Sequence, residues 1–129
     1  PCIVFIHGGY WFAFDKKYFR YPALTYTAAG LHYVTVNYAL APAVTMDEIT
    51  RQCRAALAWL WLKADELGID RVHAVVGGSM GGMQALAFAS DFPDRAERVL
   101  VLASAARQSA VLSSTDGKPR KRLPPYGTM

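Results

Sequence analysis

The sequence predicts an α/β fold in which about four parallel strands carry helices on both faces. Three observations lead there. Short apolar runs rich in β-branched residues alternate with helical stretches along most of the chain. Each run is apolar at consecutive positions rather than at every second one, as in strands covered on both sides. The connections are short, which favours crossover units and a parallel sheet over hairpins.

Cys2-Ile-Val-Phe-Ile6 is the first such run, and it stops at the glycine pair Gly8 and Gly9. Residues 18–29 read as a helix ended by Gly30, and His32 to Asn37 as a second strand followed by a loop containing Pro42. Thr45-Met-Asp-Glu48 has the form of a capping box. Behind it Ile49, Cys53, Ala56, Leu57, Leu60, Ala64 and Leu67 recur at helical spacing up to Gly68. Residues 71–76 predict a third strand, 79–89 a helix stopped near Pro93, and 98–103 a fourth strand.

With 129 residues, 53% of them hydrophobic, the chain can bury one core, and general disorder is excluded. The net charge of +4 is uneven. Residues 1–112 hold ten Lys and Arg against nine Asp and Glu, whereas residues 113–129 hold Lys118, Arg120, Lys121 and Arg122 against Asp116. The expected organisation is a domain over 1–112 and a basic, proline-containing disordered tail over 113–129, so no specific nucleic-acid partner is implied. Cys2 and Cys53 lack disulfide-scaffold or metal-ligand spacing and read as buried apolar residues of a reducing compartment. No metal or other cofactor is expected, nor a membrane span, and a cytoplasmic protein is the default.

Gly77-Gly-Ser-Met-Gly81 fits G-x-S-x-G between an apolar strand and a helix. A serine on so sharp a turn needs small residues two before and two after it, because neighbouring backbone passes close. The helix that starts there points N–H groups toward negative charge developing at the serine. His7-Gly-Gly-Tyr-Trp11 follows the first strand and lies at the same sheet edge, where its N–H groups could complete an oxyanion hole with that of Met80.

These motifs resemble the α/β-hydrolase superfamily over residues 1–112. His7-Gly-Gly-Tyr-Trp11, Asn37-Tyr-Ala-Leu-Ala-Pro42 and the helix ending in Gly68-Ile-Asp70 are similar to the arylformamidase and hormone-sensitive-lipase type of esterase. Gly77-Gly-Ser-Met-Gly-Gly-Met-Gln-Ala-Leu86 and Ala103-Ser-Ala-Ala-Arg-Gln-Ser109 are similar to homoserine O-acetyltransferases, so the chain reads as a mosaic. The resemblance implies Ser79 as nucleophile, with Gly9, Tyr10 and Met80 as oxyanion donors and Gly8 permitting the turn. It also implies that His7 shapes the loop and Trp11 walls an acyl pocket. The implied substrate is a small acyl ester or amide.

The family's triad partners follow the serine in the order acid, histidine, and no histidine follows Ser79. His32 and His73 fall roughly 15 to 20 Å from the serine's edge at about 3.3 Å per residue, and only His7 reaches it. Asp91, Asp94, Glu97 and Asp116 read as surface or tail acids. The expectation is a fragment of a carboxylesterase- or arylformamidase-like serine acyl hydrolase, impaired because triad acid and histidine are absent. A homoserine O-acetyltransferase-like enzyme and a non-catalytic remnant are the alternatives. Self-association is expected through outer strands exposing Ile3 to Ile6 and Val99 to Leu102.

Overall fold

A computed structural model describes residues 1–106; the end of the expected domain at 112 and the tail over 113–129 lie outside the described residues. Its four strands are β1 (Cys2–Ile6), β2 (His32–Val36), β3 (Val72–Gly78) and β4 (Arg98–Leu102). They form one parallel sheet in the order β2-β1-β3-β4.

Side chains of β1 divide between the faces with the period of two that a strand imposes. Cys2, Val4 and Ile6 join the larger core, whose other side comes from Ile49, Cys53, Leu57 and Leu60 of helix α2 (Met46–Leu62) and Ala85 and Phe88 of helix α3 (Met80–Asp91). Ile3 and Phe5 face the other way, with Ala74, Val76 and Tyr33, under Tyr26 of helix α1 (Ala23–Ala28). The sheet thus carries helices on both faces. Burial drives the Cys53 thiol up to about 12 and that of Cys2 up to about 11, so both stay protonated near neutral pH.

The strand order corrects one expectation. β1 lies between β2 and β3, and Ile3 to Ile6 is interior, with Val4 and Ile6 wholly inaccessible. The outer strands are β2 and β4, and β4 alternates between half-buried and exposed positions.

Two helices differ from their expected spans. Residues 18–29 split into a 3-10 turn at Lys16–Phe19 and the short α1, because Pro22 sits at the start of α1 where its missing N–H costs nothing. α2 stops at Leu62, and residues 63–68 continue as turns closed by the Ile69 N–H on the Ala64 carbonyl at 2.8 Å. Ala64 still packs on the core beyond the helix, but Leu67, the last position of the expected stripe, is exposed, and Ile69 is buried in its place. At its other end Thr45 Oγ1 accepts from the Glu48 N–H at 3.3 Å as the capping box requires. The Glu48 carboxylate turns instead to Arg51 and Gln52.

The topology also locates a crevice. From β1 the chain moves outward through α1 to β2, and from β3 it moves the opposite way through α3 to β4. Loops leaving the carboxyl ends of β1 and β3 therefore diverge to opposite faces, and such switch points are where open α/β sheets bind ligands.

Candidate active site

Ser79 stands between β3 and α3 with φ 52° and ψ −121°, backbone that costs a non-glycine residue roughly 1–3 kcal/mol. It is the residue before the helix, yet its hydroxyl makes no capping bond. The turn is pinned from outside by the Ser79 N–H on the Leu102 carbonyl at 2.8 Å and closed from within by the Gly82 N–H on the Ser79 carbonyl at 2.9 Å. Flanking glycines are required for space. A Cβ on Gly77 would strike the Gly81 backbone, and one on Gly81 would strike the Ile6 carbonyl, because the first turn of α3 crosses the end of β1.

The loop leaving β1 comes against the same turn. A Cβ on Gly8 would lie 2.7 Å from the Gly78 carbonyl oxygen, 2.9 Å from Ser79 Cβ and 3.4 Å from the Met80 nitrogen. Gly9 follows at φ 116°, then Tyr10 at 52° and Trp11 at 68°, a run of left-handed backbone that folds the loop back on itself. The Gly9 carbonyl accepts from the N–H groups of Phe12 and Ala13 at 3.2 and 3.0 Å. Among the described residues, no backbone carbonyl accepts from the N–H of Gly9, Tyr10 or Met80. Trp11 is buried with its ring 6.2 Å from that of Tyr38, while Tyr10 is exposed.

His7 is 1% exposed, sandwiched between Phe19 at 5.5 Å and Tyr38 at 4.4 Å between ring centroids. Its Nδ1 lies 2.7 Å from the Gly8 carbonyl oxygen. A carbonyl only accepts, so Nδ1 is assigned the proton. Nε2 is buried and has no partner among the described residues.

The remaining histidines are elsewhere. His73 Nδ1 meets Glu97 Oε2 at 2.8 Å near the amino end of the sheet, where Arg71 and Arg98 also hold Glu97. His73 precedes Ser79 by six residues of extended chain, roughly 20 Å. His32 opens β2 and is exposed. Asp91 pairs with Arg54, tying α3 to α2. Among the described residues no His, Cys, Asp and Glu group could hold a metal ion, and no helix is long and apolar enough to cross a membrane.

Tyr38 is the residue whose part at this site the sequence did not disclose. It follows β2, 5% exposed, and its hydroxyl donates to the His7 carbonyl at 2.7 Å. Burial pushes its pKa up, so it remains an O–H donor. The only sequence signal was an aromatic residue just past a strand, within Asn37 to Pro42.

A family model described as the alpha/beta hydrolase fold matches residues 3–124. A homoserine O-acetyltransferase from Haloferax volcanii is 45% identical over 82 residues, which cover 64% of this chain and 18% of that protein. Among solved structures, carboxyl esterase 2 from Tuber melanosporum superposes with a TM-score of 0.71 at 25% identity, covering 92% of this chain and 42% of its own. A thermophilic esterase from Thermogutta terrifontis, solved with propionate bound, gives 0.59 at 27% identity over 64% of this chain and 32% of its own. The chain thus spans under half the length of each of these proteins.

Proposed function

The chain belongs to the alpha/beta hydrolase fold family, and from that premise we propose that it carries the acyl-transfer site of a carboxylesterase- or arylformamidase-like enzyme acting on small esters or amides. Ser79 is the nucleophile. Its Oγ attacks the substrate carbonyl, the hydroxyl proton passes to solvent water, which returns one to the departing alcohol or amine, and the carbonyl oxygen takes up negative charge. Collapse expels the alcohol or amine and leaves an acyl-serine, which water then hydrolyses. The N–H groups of Gly9, Tyr10 and Met80 serve the oxyanion, with Gly8 letting the loop approach, and the N-terminus of α3 adds its dipole.

The observation that carries this reading is the contact between Gly8 and the strained Ser79 turn at the crevice of the sheet. Two further facts support the reading: the Ser79 hydroxyl makes no capping bond, and among the described residues no backbone carbonyl accepts from the N–H of Gly9, Tyr10 or Met80. Among the described residues nothing pairs an imidazole and a carboxylate beside Ser79, and His7 spends its Nδ1 proton on the loop. Acylation by this 129-residue chain is accordingly slow, limited to the roughly 10³ to 10⁴-fold acceleration that binding and an oxyanion hole give without a triad. Turnover of p-nitrophenyl acetate tests this, with Ser79→Ala expected to remove the activity above background.

A second reading, homoserine O-acetyltransferase-like chemistry, is favoured by the 45% identity over 82 residues. It shares the acyl-serine and differs in the acceptor, a hydroxyl in place of water. Supplying acetyl-CoA with and without homoserine separates them. Release of acetate alone supports the esterase, and O-acetylhomoserine supports the transferase. No Ser79-dependent product from either assay would support a non-catalytic remnant.

A further inference from the structure

We propose that Tyr38 is a positioning residue that sets the orientation of the Gly8–Gly9 peptide, turning the Gly9 N–H toward Ser79. The argument starts from peptide geometry. The bond between Gly8 and Gly9 is trans, so its C=O and N–H point in opposite directions. The Gly8 carbonyl accepts on the buried side of the loop from His7 Nδ1 at 2.7 Å, with the Tyr38 hydroxyl, whose one proton goes mainly to the His7 carbonyl, 3.3 Å away. The Gly9 N–H therefore points away from that pair. The Ser79 turn is the neighbour on this stretch of loop, its Cβ within 2.9 Å of a Cβ placed on Gly8, and the Gly9 N–H is assigned to that side.

Tyr38 also fixes the preceding peptide, since its hydroxyl donates to the His7 carbonyl at 2.7 Å. The two carbonyls of the turn thus converge on one hydroxyl. Its ring, 4.4 Å from that of His7, keeps the imidazole in the plane from which Nδ1 reaches Gly8. Tyr38 is itself held by the next residue, because Gln52 Oε1 of α2 accepts from the Ala39 N–H at 2.8 Å. Gln52 is oriented in turn by Glu48 Oε1 at 2.9 Å. A chain of contacts thus runs from the first turns of α2, through the loop after β2, to the peptide beside Ser79.

The inference rests on the assignment of Gly9 to the oxyanion donors, and it goes beyond that assignment by naming what aims the donor. The test uses the whole 129-residue chain. Proton NMR should show a cross-relaxation peak between the amide protons of Gly9 and Met80 in the wild type, lost or much weakened in Tyr38→Phe. Inactivation by a fluorophosphonate should slow roughly tenfold or more at saturating probe in Tyr38→Phe, with the probe's half-saturation concentration unchanged. A wild type without the amide peak, or a Tyr38→Phe protein that keeps both the peak and the saturating rate, would overturn the role of Tyr38. Wild-type modification that survives Ser79→Ala would overturn the nucleophile instead, leaving the amide peak to decide Tyr38.

Discussion

Gly8 and Ser79, 71 positions apart in sequence, meet so closely that a single added methyl on Gly8 would stand 2.9 Å from the serine Cβ. The pairing of β1 with β3, Ile6 opposite Gly77, produces this meeting by ending β1 within one residue of the end of β3 at Gly78.

Gly8→Ala should therefore damage site and fold together. The methyl also meets the Gly78 carbonyl at 2.7 Å, and neither backbone can yield without moving the pinned turn. A loss of about 1–3 kcal/mol in chemical denaturation is expected, with a fall in Ser79 modification measured on protein that remains folded.

Ser79→Gly should have the opposite sign for stability. Glycine tolerates φ 52° and ψ −121°, so the substitution releases strain and loses little contact. A gain of about 1 kcal/mol, or a few degrees in Tm, is expected alongside complete loss of covalent modification. A lowered Tm would show that the turn is unstrained.

The start of α2 should lose support in acid through Glu48. Side-chain hydrogen bonds from Arg51 and Gln52 hold its pKa down at about 2, against an ordinary 4.5. A depressed carboxylate pKa contributes stability above the unfolded value that disappears as pH falls through the folded one. Wild type and Glu48→Gln should therefore differ most above pH 4.5 and converge toward pH 2, as read by urea titrations across that window.

The outer strand β4 should drive concentration-dependent association. Leu100 and Leu102 are 42% and 49% exposed on a strand whose outer side has no partner among the described residues. Light scattering on a sizing column should show a mass above 14.2 kDa that Leu100→Lys reduces. A monomer at all concentrations would show that this edge is covered.

The strands and α2 were legible because consecutive apolar residues and helical spacing report burial directly, as in Cys2 to Ile6 and Ile49 to Leu60. Strand order was not, since a run such as Ile3 to Ile6 looks the same in any strand covered on both faces. The Ser79 turn was legible because Gly77 answers to backbone only four residues on, at Gly81, although Gly81 itself answers to the distant Ile6 carbonyl. Tyr38 was hidden because its partners, His7 and Gly8, are 31 and 30 positions away and are backbone carbonyls that no residue type announces.

Reaction with a fluorophosphonate followed by peptide mass spectrometry tests the central claim, that Ser79 is the nucleophile of an acyl-transfer site lacking its own base. The expected result is slow modification confined to the peptide containing Ser79 and absent in Ser79→Ala. Modification at another residue, or none at Ser79 after prolonged exposure, would contradict the nucleophile. Stoichiometric labelling of Ser79 within minutes would contradict the missing base.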